Sequence, residues 1–234
     1  MALDVKKLIE LLGDRDESIH RQILTSMEDE DKLLAVQTIG LRYEPRFVID
    51  ADNKSCYLNL VKWLVCDRTM VCLNPITKAK TPGVLSKGIY LFGQTGTGKS
   101  LAIRILSDLA GVLGLKYQQC GRQANLVWPI YRTDEIVDMY IHGNSLTDIK
   151  REPIVCFHDL GSEPTEALYM GTRMNVMRNS LEQRADNKAT LTIITSNYPP
   201  HSDEIKKLYG DRVESRLCDM TNLLVLKGSD RRKK

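Results

Sequence analysis

Between Gly93 and Ser100 the chain reads Gly-Gln-Thr-Gly-Thr-Gly-Lys-Ser, directly after the apolar run Ile89-Tyr90-Leu91-Phe92. This is the strand, G-x-x-x-x-G-K-[ST], helix order of a phosphate-binding loop. Glycines permit backbone dihedrals that a side chain forbids, so successive amide N–H groups converge on phosphate oxygens. Lys99 supplies a full charge for the β- and γ-phosphates, and the Ser100 hydroxyl is a ligand type that suits Mg²⁺. A helix starting here aims its positive end at the same anion. The pattern predicts nucleoside triphosphate binding, with Gly93, Gln94, Thr95, Gly96, Thr97, Gly98, Lys99, Ser100 and Leu101 as the binding residues.

Hydrolysis needs two further parts, a metal-side acid and a group that positions water. The run Ile154-Val155-Cys156-Phe157 ends in His158-Asp159-Leu160-Gly161. An apolar strand ending in acid beside the loop is suited to hold Mg²⁺ and polarise a water. Two successive acids are usual there, whereas this chain has His158 first and Asp159 second. Three readings follow. Asp159 serves the metal through a strand register shifted by one; or Asp159 activates water while Ser100, phosphates and waters hold the metal; or the site binds ATP and hydrolyses it poorly. Mg²⁺ prefers oxygen, so His158 is not assigned as a ligand. Glu163 is a substitute acid. Leu191–Thr195 leads into Ser196-Asn197, whose amide can orient water or meet the γ-phosphate. Arg212 and Arg216, four apart, share a helix face.

The elements that must position these groups are legible from periodicity. Ile89–Phe92, Leu115–Cys120, Ile154–Phe157, Leu191–Thr195 and Leu223–Leu226 read as strands. Helices are expected over Lys99–Val112, Thr133–Ile141, Thr165–Ala185 and Asp203–Leu217. Strands alternating with helices imply right-handed crossovers and a parallel sheet with helices on both faces, with ligand at the carboxyl ends of the strands. Upstream, apolar spacing predicts two or three short amphipathic helices over residues 3–40. Arg46–Asp50 is strand-like, and a helix runs from Asp52 or Asn53 to Val65. A connector with Asn74-Pro75 and Thr81-Pro82-Gly83 completes this part.

The 234 residues suit one ordinary domain with an appendage, and 42% hydrophobic with 27% charged residues is a globular composition. No apolar stretch approaches the length of a membrane span, and the amino terminus lacks the apolar core of a signal peptide. Six cysteines without a C-x-x-C pair indicate buried thiols in a reduced cytoplasm, with neither zinc nor disulfides. The net charge of +3 does not by itself point to nucleic acid, although the chain ends in Arg231-Arg232-Lys233-Lys234.

The motif order Gly93–Ser100, His158-Asp159-Leu160-Gly161, Thr195-Ser196-Asn197 and Gly210-Asp211-Arg212-Val213-Glu214-Ser215-Arg216-Leu217 resembles the DnaC/IstB-like branch of AAA+ ATPases. The resemblance covers residues 88–228 and implies a P-loop AAA+ fold, a parallel sheet sandwiched by helices, with a small N-terminal helical region. It divides the chain into a helical region at 1–40 that would bind a helicase, a helical linker region at 41–87 and an ATPase domain at 88–234. By position Asn197 resembles the sensor-1 residue, Arg216 the arginine finger with Arg212 its competitor, and Arg231 a sensor-2 residue. The family's DNA-contacting segment falls on Ser162–Arg173, which implies Tyr169 and Arg173 as DNA contacts. The implied protein is an ATP- and Mg²⁺-dependent ATPase, with Ser100 and Asp159 at the metal. It would act in the cytoplasm as a homo-oligomer that delivers a DnaB-like replicative helicase to single-stranded DNA. The alternatives are an IstB-like transposition helper and a nucleotide-switched adaptor with negligible turnover. His158, where the family has an acid, puts the rate of hydrolysis in question.

Overall fold

The computed structural model describes residues 18–24 and 27–231. Its centre is a seven-stranded sheet of order β3-β2-β12-β4-β11-β8-β7. Here β2 is Val71–Leu73, β3 Lys80–Pro82, β4 Gly88–Phe92, β7 Ile130–Arg132, β8 Ile154–Leu160, β11 Leu191–Ser196 and β12 Thr221–Val225. The five strands from β12 to β7 run parallel, and β2 and β3 add an antiparallel edge. The strand that feeds the phosphate loop, β4, therefore lies between β12 and β11, with both backbone edges paired.

Side-chain alternation divides the sheet into two buried faces. Ile89, Leu91, Cys156, Ile193 and Leu224 face one core with α1 (Asp29–Tyr43), α2 (Lys54–Leu64) and α3 (Lys99–Val112). Tyr90, Val155, Phe157, Ile194 and Leu223 face the other, against α4 (Thr133–Ile141), α6 (Val176–Asp186), α7 (Asp203–Tyr209) and α8 (Asp211–Met220). A short α5 (Thr147–Arg151) adds Ile149 to this second core. Each fully buried Leu, Ile or Phe contributes about 1.5–3 kcal/mol of apolar transfer. The result is the expected mixed α/β sandwich.

Several local expectations are corrected. Thr165–Ala185 is not one helix. Residues 167–174 form a hairpin of β9 (Ala167–Tyr169) and β10 (Thr172–Met174), turned at Met170-Gly171 with φ of +48° and +79°. Such paired positive φ values are those of a tight hairpin turn. Helix α6 begins only after Asn175, whose side chain accepts from Arg178 N at 2.8 Å. Asp203–Leu217 is broken at Gly210 into α7 and α8. The strand expected at Leu115–Cys120 is β5 (Lys116–Gln119), which leaves the main sheet. It pairs antiparallel with β1 (His20–Arg21) and β6 (Arg122–Asn125), so residues 20–21, expected to be helical, are extended. Arg46–Asp50 pairs with no strand and instead lays Phe47 into the first core, while the connector at 74–83 contributes β3. Strand β7 had no apolar signature, since all three of its residues are at least partly exposed. The helices expected within residues 3–17 lie outside the described residues.

Candidate functional site

The loop between β4 and α3 has the form the glycines permit. Gly96 and Gly98 take φ of +79° and +99°, and Gly98 is the residue from which α3 starts. A Cβ on Gly96 would stand 2.0 Å from Asp230 Oδ1, so the position is closed to a side chain on two grounds. Thr97 Oγ1 donates to Gln94 O at 2.8 Å. The Lys99 ammonium, 6% exposed, donates to Gly93 O at 2.8 Å, Gln94 O at 3.1 Å and Asn197 Oδ1 at 2.7 Å. Sequence placed Lys99 and Asn197 on separate elements; the parallel pairing of β4 with β11 joins them.

At the end of β8 the ladder is irregular. Ile194 faces Phe157, yet Ser196 faces Leu160, so β8 carries one residue more than β11 over this stretch. The insertion is a β-bulge, a device that re-aims side chains beside sites. Asp159 carries the strain with φ of +61°, its N–H donating to Thr195 Oγ1 at 2.9 Å. Leu160 consequently joins Phe157 in the second core, which straight alternation would forbid. The same irregularity lets the two consecutive residues His158 and Asp159 both reach the loop side. His158 Nε2 lies 2.5 Å from Ser100 Oγ. Its Nδ1 is buried 3.4 Å from Asp159 Oδ2, within ion-pair range but without hydrogen-bond geometry. Desolvation lowers the imidazole pKa, and Arg132, Lys99 and Arg104 lower it further. Together they outweigh the raising effect of Asp159, so the ring is neutral at physiological pH.

An open cavity of about 540 Å³ lies at the carboxyl ends of the parallel strands. Thr95, Gly96, Gly98, Lys99, Ser100, Leu101, Asp159 and Asn197 are on its wall. So are residues from distant sequence, among them Phe47, Val48 and Arg231. Arg231 closes the circuit, its N–H donating to Gly96 O at 3.0 Å and its guanidinium to Asp50 Oδ2 at 2.8 Å. Residues 228–231 thus return from β12 across the phosphate loop. Phe47 and Val48 gave no signal beyond a strand-like run, because their role comes from a tertiary position that periodicity does not report.

No family model matches the chain, and no curated protein matches its sequence. Solved structures are similar to it, among them these three. A DnaC helicase loader has 18% identity, covers 79% of this chain and 95% of its own, and has a TM-score of 0.48. A candidate primosome component from Streptococcus pyogenes serotype M3 has 19% identity, coverage of 86% and 99%, and a TM-score of 0.49. AMPPCP-bound DnaA from Aquifex aeolicus has 14% identity, coverage of 81% and 51%, and a TM-score of 0.46.

The remaining sequence-derived residues lie away from the cavity wall. Arg216 and Arg212 project from α8 to the same carboxylate, Asp186 at the end of α6, at 2.6 and 3.5 Å. Tyr169 is in β9, edge-on to Tyr140 at 5.7 Å, so it is a hairpin residue and not a helix-face aromatic. Arg173 is in β10, 76% exposed and 3.8 Å from Glu166. The hairpin tip presents Leu168 and Met170 to solvent. Glu163 is not a free acid: it is buried, bonded to the Tyr209 hydroxyl and accepting from Gly161 N at 2.9 Å, and so anchors the turn after Asp159. Among the described residues no helix is long and apolar enough to cross a membrane.

Proposed function

We propose that this chain is a nucleotide-switched AAA+ protein of the DnaC-like kind, which binds ATP and loads a replicative helicase onto single-stranded DNA. The observation that carries the nucleotide reading is the convergence of Lys99, Ser100, Asp159, Asn197 and Arg231 on one cavity at the mouth of the glycine loop. Loop amides, Lys99 and Arg231 would bind the triphosphate, and Phe47 and Val48 would cover the base. Asp159 and Asn197 would orient the attacking water. A divalent cation, when bound, would supply charge neutralisation at the phosphates, and Ser100 is the residue that would hold it.

The loader assignment rests on the order of motifs in the sequence. In it, Arg216 belongs to the site of a neighbouring subunit, where it would exchange Asp186 for a phosphate and couple hydrolysis to assembly. The hairpin carrying Tyr169 and Arg173 offers an aromatic and a cation of the kind that hold single strands. A second reading, an adaptor with negligible turnover, is favoured by the His158–Ser100 contact, which engages the metal-side hydroxyl. One experiment tests both: ATP turnover of the protein with and without single-stranded DNA and a replicative helicase, with Lys99→Ala as control. Stimulated turnover lost in Lys99→Ala supports the loader. Tight ATP binding without turnover supports the adaptor, and helicase-independent stimulation by duplex DNA would move the assignment to a transposition helper.

A further inference from the structure

Arg231 reaches the phosphate loop from the far end of the chain, and one carboxylate holds its side chain. Its backbone N–H donates to Gly96 O at 3.0 Å, and Nη2 of its guanidinium donates to Asp50 Oδ2 at 2.8 Å. A guanidinium carries five N–H donors in a rigid fork, so one carboxylate oxygen leaves most of them for another anion. Among the described residues its Nε is buried without a hydrogen-bond partner. Arg231 is on the wall of the nucleotide cavity, and Asp50 is not. The carboxylate therefore acts on the cavity through the arginine.

Asp50 is itself fixed from several sides. Its Oδ1 accepts from Asp52 N at 3.1 Å and Asn53 N at 3.2 Å, and Asn53 Oδ1 accepts in return from Asp50 N at 2.9 Å. The Asn53 amide, fully buried, donates to Val48 O at 3.0 Å. Gln37 of α1 bonds the same segment twice: its Nε2 donates to Phe47 O at 2.7 Å, and its Oε1 accepts from Ile49 N at 3.0 Å. Residues 47–50 are thus clamped between α1 and the turn into α2. Ordering a long arginine side chain costs rotamer freedom. A carboxylate held in place beforehand lowers that cost at the moment of binding. We propose that Asp50 is a positioning residue for the nucleotide: it pre-orients the Arg231 guanidinium for the triphosphate and so ties phosphate binding to residues 47–53, the segment that carries Phe47 and Val48. The inference rests on the nucleotide-binding reading above. A carboxylate that merely competed with phosphate for Arg231 would have the opposite effect on affinity.

The test is a double-mutant cycle on the affinity of a non-hydrolysable fluorescent ATP analogue, with wild type, Asp50→Asn, Arg231→Ala and the two combined, and Lys99→Ala as control. Asn makes the same side-chain turn as Asp, so Asp50→Asn keeps the acceptor for Asp52 N and Asn53 N and removes the charge. The expected result is about tenfold weaker binding in Asp50→Asn and no further loss when it is added to Arg231→Ala. Unchanged or tighter binding in Asp50→Asn overturns the inference. So does an equal loss in the Arg231→Ala background, which is what a merely structural turn would give. Hydrogen exchange of the wild type adds a readout that does not depend on how any variant folds. Inorganic triphosphate, which has no base, should slow exchange roughly threefold at the amides of residues 50–53 as well as in the phosphate loop. Protection of the loop alone, or of neither segment, overturns the inference and leaves binding of the analogue intact. Absence of analogue binding, or binding unaffected by Lys99→Ala, overturns both readings.

Discussion

The Gly93–Ser100 loop and the end of β8 meet at the Ser100–His158 contact and are made in opposite ways. The loop is built from backbone: its positive φ values fall on Gly96 and Gly98, where they cost little, and its lysine is held by its own carbonyls. The β8 end is built from side chains. Its positive φ falls on Asp159, a residue type that tolerates this region better than most but still at a cost of order 1 kcal/mol. The difference separates two tasks. On the function proposed above, phosphate affinity would lie in a backbone cradle, whereas the rate of turnover would depend on side chains held in place by one bulge.

That division can be broken experimentally. The largest effect is expected where neither region acts alone. Arg216→Ala should lower assembly-dependent ATP turnover by about 10³-fold, the scale of an arginine finger, with nucleotide affinity nearly unchanged. If Arg212→Ala carries the loss instead, the finger lies one turn earlier on α8. Next, Lys99→Ala should weaken nucleotide binding by about 100-fold, equivalent to about 2.7 kcal/mol of charge-assisted hydrogen bonding. Titration with the fluorescent analogue measures it, and a comparable loss in His158→Ala would erase the distinction between the regions. His158→Asp should raise turnover with Mg²⁺ by about tenfold, about 1.4 kcal/mol in the barrier, with little change in affinity for metal-free nucleotide. Unchanged turnover would make Asp159 sufficient at the metal. The smallest effect is structural. Thr195→Val keeps the side-chain shape but removes the acceptor for Asp159 N, and thermal denaturation should show a loss of about 1–2 kcal/mol.

The same contrast explains what the amino-acid order disclosed. The loop was legible because each of its functions needs a residue type at a fixed spacing, and the strands that flank it are fully apolar. The sandwich followed from alternation of strands and helices. The bulge at Asp159 was not legible, since a one-residue insertion in a ladder depends on the neighbouring strand and leaves the local run His-Asp-Leu-Gly looking ordinary. The hairpin at 167–174 was missed because Ala167, Met170, Met174 and Met177 also fit a helical period; Met170-Gly171 was the turn signal that should have outweighed it. Phe47 and Val48 could not be recognised at all, because what they do depends on a cavity assembled from other parts of the chain.

The return of residues 228–231 over the loop also bears on when the site comes into being. Arg231 contacts Gly96 and, 181 positions upstream, Asp50, and β4 lacks a neighbour on one side until β12 is in place. A ribosome that has just finished α8 has emitted the entire glycine loop but not the strand and strap that complete its surroundings. Contacts so distant in sequence form late and slowly. The cavity is therefore complete only once β12 and residue 231 are in place, and nucleotide capture, on the function proposed above, would mark a molecule whose synthesis has passed that point.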